Sequence, residues 1–276
     1  MRIALIHQVF PGPDGAERLA ACLQRAAADG ATLAVLPEIA CNPWSPATRV
    51  ARAEDAEPPD GLRHGLQAAA ARAAGIALVG AAIVQDSATG RRENTALVFD
   101  ARGTLQSSFA KLHVPEEPGF WETDHYEPGR EAAPLVRGLG LPFGVQICSD
   151  MNRPMGAHAL AARGAELIVN PRSTERATYA WWRMGFQMTA RTTCTFVVSV
   201  NRPAAEFGVE IGGPSIAVAP DGEVLLETEE PLAIVDLDPA RLVTARAAYP
   251  GYLPVRSDLY ARDFAAATAP LAEARP

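Results

Sequence analysis

The chain has 276 residues, of which 48% are hydrophobic and 21% are charged, a composition that is ordinary for a globular enzyme with one sizeable core. The net charge of −7 is spread along the chain, which argues against nucleic acid as a partner. No apolar run is long enough to span a bilayer, and the first residues lack a signal-peptide cleavage pattern. We therefore expect neither a membrane segment nor a nucleic-acid partner.

The cysteines and histidines exclude further classes of protein. The four cysteines are far apart and form no C-x-x-C pair, so the simplest interpretation is a cytoplasmic protein with reduced thiols. The five histidines are scattered, and no cluster of His, Cys and Asp has the spacing of metal ligands. We therefore expect no metal and no cofactor.

Apolar periodicity, interrupted by glycine and proline, predicts helices that alternate with strands along most of the chain. Asp14 and Glu17 can form a capping box at the start of the first helix. The predicted elements, in chain order, are a strand at 1–10, a helix at 15–29, a strand at 32–36, a helix at 62–74, strands at 76–84, 95–99 and 105–109, a strand that ends near 147, a helix at 155–163, a strand at 167–169, a helix at 179–192, and strands at 196–200, 215–218 and 224–226.

Two segments of the chain echo each other. Residues 30–38 and 164–172 each contain a glycine that stops a helix, an apolar strand and a proline turn. Two similar α/β halves, each with a sheet buried against helices, would suit a sandwich of two sheets. A chance similarity between two ordinary αβ units is the competing interpretation.

Three side chains of complementary chemistry each follow an apolar stretch. Glu38 ends the run Ala-Val-Leu-Pro-Glu, Lys111 follows Phe-Ala, and Cys148 follows Val-Gln-Ile. In open α/β sheets, reactive groups gather at the carboxyl ends of strands. A helix that begins shortly after Cys148 would add partial positive charge and favour the thiolate. Taken singly, the three residues have plain alternatives as a turn carboxylate, a surface lysine and a small core cysteine.

With these motifs in this order, the chain resembles the nitrilase superfamily of carbon–nitrogen hydrolases over approximately residues 1–254. The matching motifs are LPEIA around Glu38, FAKLHVPEEPGFWETDHYEPG around Lys111, GVQICSD around Cys148, and then GAELIVNPR, FVVSVNRP and GPSIAVAPDGEVL. The resemblance implies a four-layer α-β-β-α sandwich that pairs into a homodimer or a higher homo-oligomer. We expect one catalytic domain over residues 1–264 and an Ala/Pro-rich tail over 265–276.

The resemblance implies a Glu-Lys-Cys triad. Cys148 would be the nucleophile that forms a thioester-type intermediate, and Glu38 would pass the thiol proton to the leaving nitrogen and then activate water. Lys111 and the backbone N–H of Ser149 would stabilise the oxyanion. The superfamily often places a second glutamate beside the lysine, and its position after two aromatic residues points to Glu122. The other candidates for that position are Glu116, Glu117 and Glu127.

A papain-like Cys-His pair is the alternative mechanism. His113 stands two residues after Lys111, and His125 follows in the same segment. Because Glu38 already fills the role of base, we interpret His113 as a structural hydrogen-bonding group. Variants of His113 and Glu38 would separate the two mechanisms by their activities.

Residues of the loops beside the triad are the candidates for binding a small-molecule substrate. We expect an amide or N-carbamoyl compound, with release of ammonia, and the segment after Lys111 favours an N-carbamoyl amine or amino acid. N-carbamoylputrescine amidases tend to carry tryptophan and glutamate where this chain has Ser149 and Met155. An aliphatic nitrilase and a catalytically silent, metabolite-binding protein are the alternatives. The candidate substrate-binding residues are Trp44, Trp121, Tyr126, Met151, Asn152, Arg153, Arg172 and Glu206.

Overall fold

The computed structural model describes residues 1–267 as strands and helices in regular alternation. The strands are β1 (Arg2–Leu5), β2 (Leu33–Val35), β3 (Ala77–Gln85), β4 (Arg92–Phe99), β5 (Leu105–Ala110), β6 (Glu116–Glu117), β7 (Phe120–Trp121), β8 (Phe143–Val145), β9 (Leu167–Arg172), β10 (Phe196–Asn201), β11 (Ser215–Val218), β12 (Val224–Thr228) and β13 (Ala233–Asp236). The helices are α1 (Gly15–Ala28), α2 (Leu62–Ala74), α3 (Met155–Ala162), α4 (Tyr179–Thr193), α5 (Ala240–Ala247) and α6 (Ser257–Ala266).

Two sheets form the centre of the fold. The first has the strand order β13-β1-β2-β3-β4-β5, and the second has the order β12-β11-β10-β9-β8. The strands β1, β2 and β3 are parallel, and so are β8, β9 and β10. Parallel neighbours need a crossover, which α1 and α2 supply in the first sheet and α3 and α4 in the second. The echo between residues 30–38 and 164–172 therefore falls on β2 and β9, the middle strands of two similar βαβαβ units.

Successive side chains along each strand point to opposite faces of the sheet, and this alternation produces the layers of the fold. Ile3 and Leu5 of β1 belong to the core between the two sheets, whereas Ala4 and Ile6 belong to the core beneath α1 and α2. On the opposite side, α3 contacts β8 and α4 contacts β10 and β11. The predicted four-layer α-β-β-α sandwich is confirmed.

Local differences from the sequence-based expectations have clear physical reasons. The helix predicted at 62–74 is α2 with the same bounds, but β9 continues past 169 to Arg172 because its last residues still pair with β10. The predicted capping box at Asp14 is not formed, since this residue has a helical backbone and its carboxylate pairs with Arg18 at 3.0 Å. The sequence pattern did not predict β13, α5 or α6.

The C-terminal helix α6 is exposed and contributes no buried residue. It contains the first two residues of the predicted tail at 265–276, and residues 268–276 lie outside the described part of the chain. The domain boundary at 264 stays a prediction. Within residues 1–267, none of the helices combines the length and the apolar character needed to cross a membrane.

Candidate active site

Turns at the ends of three strands bring Glu38, Lys111 and Cys148 together. Glu38 lies three residues after β2, Lys111 directly follows β5, and Cys148 lies three residues after β8. All three residues are buried, and the Cys148 thiol lies within electrostatic range of the other two. Two sheets thus contribute to one site, the first through the carboxylate and the amine and the second through the thiol.

Lys111 is a buried cation held between two carboxylates. Its Nζ donates to Glu38 Oε1 at 2.8 Å and to Glu122 Oε2 at 2.5 Å. Burial alone lowers the pKa of the Lys111 ammonium, but the charges of Glu122 and Glu38 outweigh it, and the pKa is raised above its usual value. An ammonium has three donors, so one N–H remains for a ligand. Lys111 is also the only lysine among the 25 lysines and arginines of the chain.

Glu38 has one engaged oxygen and one unengaged oxygen. Oε1 accepts hydrogen bonds from Lys111 Nζ and from Asn94 Nδ2, both at 2.8 Å. Oε2 is buried and has no hydrogen-bond partner among the described residues. The Glu38 carbonyl accepts from the buried Arg202 guanidinium at 3.0 Å, which fixes the turn after β2. This carboxylate is therefore oriented by one oxygen and able to take a proton on the other.

Glu122 is the second glutamate beside the lysine. It is fully buried, and Tyr126 donates its hydroxyl hydrogen to the same Oε2 that accepts from Lys111. Burial raises the pKa of the Glu122 carboxyl to about 7, while Lys111 opposes the rise and Glu38 adds to it. Among the other candidates for this position, Glu127 instead pairs with Arg91.

Cys148 has a strained backbone and a buried thiol. Its φ of +44° lies in the left-handed region, at the start of the short 3-10 helix Cys148–Asn152. Its thiol lies 3.8 Å from the Ser173 carbonyl oxygen. Burial, together with Glu38 and Glu122, raises the pKa of the Cys148 thiol well above its usual value, although Lys111 opposes this. Burial and the two carboxylates therefore favour the thiol, against the effect of Lys111 and of the helix start, which favours the thiolate. The amide of Ser149 belongs to the first turn, where amides have no partner within a helix.

Asp150 joins the loop of the lysine to the loop of the cysteine. This buried carboxylate accepts from the amides of Leu112 and His113, from His113 Nδ1 at 2.8 Å and from the Ile147 amide at 3.1 Å. A carboxylate only accepts, so Nδ1 of His113 carries a proton here. His113 is thereby engaged away from the thiol, in agreement with a structural role.

We expect Asp150→Asn to lower the free energy of unfolding by about 2–4 kcal/mol. In the native protein the two charged oxygens of Asp150 accept hydrogen bonds from three backbone amides, whereas the asparagine side chain has only one, uncharged, acceptor oxygen. The two catalytic loops would lose their common anchor, so kcat should fall more than KM changes. Urea denaturation and steady-state kinetics measure the two effects. The control is Asp86→Asn, another carboxylate that accepts backbone amides, in an exposed turn distant from the site. Loss of activity in both variants would contradict the proposed anchor.

A cavity of about 470 Å³ opens beside the thiol. Five of the residues named from the sequence line it: Glu117, Glu122, Cys148, Ser149 and Asn152. Sequence reasoning did not single out the other polar and indole side chains of the lining, which are Ser173, Thr174, Glu175, Thr178, Trp181 and Trp182. These residues follow β9 or begin α4, so only the fold places them opposite Cys148.

The remaining candidates for substrate binding do not line this cavity. Arg172 is fully buried and contacts Ser199, Thr174 and the Pro214 carbonyl, so the prediction that it binds substrate does not fit its placement. The same correction applies to the buried residues Trp44, which donates to the Gly119 carbonyl, Tyr126, which bonds Glu122, and Met151, which lies in the core.

The partly buried candidates Trp121 and Glu206 and the exposed candidate Arg153 also lie outside the cavity lining. Trp121 stacks against the Arg49 guanidinium at 3.6 Å, and Arg153 is exposed to solvent. Glu206 pairs with Arg202 and accepts from the Trp44 amide, which is a structural arrangement. His125 contacts the Thr48 carbonyl oxygen with Nε2 at 2.7 Å.

Some supporting residues had a visible signal in the sequence and others had none. Asn94 follows Arg92 and Glu93 in the polar first half of β4, so the pattern of that strand did not indicate its burial. A polar residue inside an apolar strand, by contrast, indicates a buried hydrogen-bonding role. Asn170, whose side chain donates to the carbonyls of Gln146 and Cys148, interrupts the apolar strand β9. Arg202 had no such signal, because its partners, the carbonyls of Glu38 and Asn42, are more than 150 residues away. Among residues 1–267, no group of three or more His, Cys, Asp or Glu residues could hold a metal ion.

The sandwich, together with a buried Glu, Lys and Cys at one edge, defines the class of protein. Residues 12–247 match the carbon-nitrogen hydrolase family, and the chain belongs to that family. It is 30% identical to omega-amidase NIT2 of Homo sapiens, a match that covers 94% of this chain and 96% of that protein. It is 25% identical to N-carbamoylputrescine amidase of Solanum tuberosum over 63% of this chain and 64% of that protein. The crystal structure of Nit3 of Saccharomyces cerevisiae, a member of branch 10 of the nitrilase superfamily, is similar with a TM-score of 0.81 and 25% identity, over 93% of this chain and 96% of that one.

Proposed function

We propose that the protein hydrolyses the C–N bond of an amide or N-carbamoyl group in a small linear substrate and releases ammonia. The observation that carries this proposal is the arrangement of Glu38, with one unengaged oxygen, and the buried thiol of Cys148 around a fixed Lys111 cation. A volume of about 470 Å³ suits a small molecule. Similarity to an omega-amidase and to an N-carbamoylputrescine amidase supports the same chemistry.

In the first half-reaction, the thiol of Cys148 attacks the carbonyl carbon while its proton passes to Glu38 Oε2. The remaining N–H of Lys111 and the amide of Ser149 donate to the oxyanion that forms. When the C–N bond breaks, Glu38 gives the proton to the leaving nitrogen, which departs as ammonia. The acyl or carbamoyl group remains on sulfur as a thioester-type intermediate.

In the second half-reaction, water attacks the thioester carbon while Glu38 takes a proton from the water. The C–S bond then breaks and the proton returns to the Cys148 sulfur, which restores the resting thiol. Glu122 acts through Lys111, since its carboxylate and that of Glu38 hold the ammonium in place. The function of Glu122 is therefore one of positioning.

Ammonia release over a panel of N-carbamoyl amines, N-carbamoyl amino acids, ω-amides and aliphatic nitriles tests the proposed function, with Cys148→Ala as the blank. A signal that depends on Cys148 supports hydrolysis and assigns the bond type. A signal on nitriles alone would replace the amidase with a nitrilase. Binding of panel compounds without any turnover would favour the catalytically silent alternative.

We expect Glu38→Gln to lower the single-turnover rate of ammonia release by about 10²–10⁴-fold, because glutamine can accept from Lys111 but cannot take the thiol proton. Substrate binding, measured by calorimetry, should be largely retained. The matched variant His113→Asn keeps an N–H donor for Asp150 and should retain turnover. An active Glu38→Gln beside an inactive His113→Asn would replace this mechanism with the Cys-His alternative.

We also propose that the chain forms a homodimer or a higher homo-oligomer. Met184 and Met188 lie one turn apart on α4, and both are largely exposed. Burial against a second copy would remove this apolar surface from water. Sedimentation equilibrium measures the association. The free state of all four cysteines supports a reducing compartment such as the cytoplasm.

A further inference from the structure

The charged side chains that line the catalytic cavity all have the same sign. Glu117, Glu122 and Glu175 contribute carboxylates to the lining, and none of the described lining residues is an arginine, lysine or histidine. The lining of the cavity is therefore more negatively charged than an average part of the chain. Low-dielectric walls concentrate such a field inside a cleft.

Two of these carboxylates have no partner among residues 1–267. Glu122 is engaged by Lys111 and Tyr126. By contrast, the side chains of Glu117 and Glu175 form no ion pair or hydrogen bond with other residues of the described range 1–267. Glu175 is partly buried and Glu117 is exposed at the rim. Both charges are thus available to a ligand.

The arginines close to the cavity in the chain either form ion pairs or hydrogen bonds with other residues or do not line the cavity. Arg176, next to Glu175, forms a bidentate salt bridge with Glu229. Arg172 is buried among its own hydrogen-bond partners. Arg153 is exposed and does not line the cavity. A substrate carboxylate would therefore meet two unpaired glutamates and no cation other than the Lys111 that belongs to the catalytic site.

Aromatic rings complete a surface suited to a cation. Trp181 and Trp182, at the start of α4, both line the cavity. An indole face attracts an ammonium through its quadrupole, and the effect increases as the pair is desolvated. Carboxylates and indole rings together recognise a protonated amine and repel an acid.

We propose that this cavity selects a substrate that carries a protonated amine in addition to the scissile amide or N-carbamoyl group, and that Glu175 and Glu117 determine this selectivity. The inference rests on the proposed function for the bond that is broken. The charge preference itself rests only on the cavity.

Three amides of matched length test the charge preference: 5-aminopentanamide, hexanamide and the monoamide of glutaric acid. We expect kcat/KM to fall in that order, with a narrower spread at high salt because screening weakens exposed charge pairs. Glu175→Gln and Glu117→Gln should each lower the ratio of the cationic to the anionic amide by about fivefold. Glu17→Gln, on the exposed face of α1, is the control and should leave the ratio unchanged.

A charge reversal and a binding measurement separate this inference from the proposed function. Glu175→Arg should invert the order of the cationic and anionic amides, and its melting temperature shows whether the fold persists. Calorimetric binding to Cys148→Ala measures the charge preference without turnover. Turnover of the acid monoamide equal to or faster than that of 5-aminopentanamide would overturn the charge preference and leave the hydrolase standing. Charge-ordered binding without turnover in the wild type would overturn the hydrolase and leave the preference standing, whereas equal binding of all three amides would overturn the preference.

Discussion

Replacing Lys111 with methionine is expected to abolish turnover and to lower the free energy of unfolding by about 3–5 kcal/mol. The change leaves Glu38 and Glu122 buried together without the ammonium that both contact in the native protein. The deficit in stability should be large near neutral pH. Urea denaturation of the two proteins measures it directly.

The free energy of unfolding of the Lys111→Met variant should depend on pH, and the direction of that dependence follows from proton binding. Burial and mutual repulsion raise the folded-state pKa of a carboxyl above its unfolded value, so the folded variant binds more protons than the unfolded chain. Its stability must then fall as pH rises, and the deficit should shrink as pH is lowered toward about 5. In the wild type the raised pKa of Lys111 keeps the ammonium charged, and its stabilising effect is present throughout this range.

The double variant Lys111→Met, Glu122→Gln is the matched control. Removing one of the two carboxylates should recover part of the lost stability without restoring turnover, because the oxyanion donor is still missing. A Lys111→Met protein with the wild-type urea midpoint would contradict the assigned ion pairs. Equal stability of the single and double variants would show that Glu122 does not form an ion pair with Lys111 beside that of Glu38.

Replacing Cys148 with alanine is expected to reduce ammonia release to the level of the buffer while the fold persists. The side chain is small and buried, so its loss should cost only about 1 kcal/mol of stability. Serine at the same position keeps a hydroxyl but is a far weaker nucleophile near neutral pH, and its turnover should remain near the blank. Ammonia assays and thermal unfolding of both variants test these expectations.

Cys194 provides a closely matched control for Cys148. It is also buried and free, and its φ of +52° lies in the left-handed region, at the C-terminal end of α4. Its sulfur contacts the Arg191 and Ala245 carbonyl oxygens, outside the catalytic cavity. Cys194→Ala should therefore retain turnover. Ammonia release by Cys148→Ala above the level of the buffer would exclude Cys148 as the nucleophile.

The residues to which we assign the chemistry were proposed because the motifs around them resemble those of the nitrilase superfamily, and the structure brings them together. Glu38, Lys111 and Cys148 follow β2, β5 and β8, and the position of Glu122 after two aromatic residues identified it. The sandwich was predictable because the sequence contains two segments in which strands and helices alternate in a βαβαβ pattern. The end of β9 differed from the prediction because its pairing partner β10 follows only after α4, and the capping box at Asp14 was wrong because the Asp14 carboxylate pairs with Arg18 instead.

The partners of these residues were not predictable to the same degree. Asp150 anchors a loop about 37 positions earlier, and nothing near it in sequence indicates which amides it accepts. Tryptophan and arginine are also ambiguous, because each occurs in cores and in binding sites. Trp44 and Arg172 prove to be fully buried and engaged within the protein. The acidic lining of the cavity emerges only when the segment after Lys111 and the start of α4 face each other.

The burial of the single lysine leaves the native protein without an accessible ε-amino group. Lys111 is the only side chain in the chain with an ε-amino group, and its Nζ is enclosed by two carboxylates. An amine-directed reagent can reach it only when the site opens, so its rate of labelling at this position reports the opening of the catalytic centre. Lysine-directed crosslinking and surface immobilisation would have to reach this one buried position, whereas the 24 arginines leave guanidinium chemistry unrestricted.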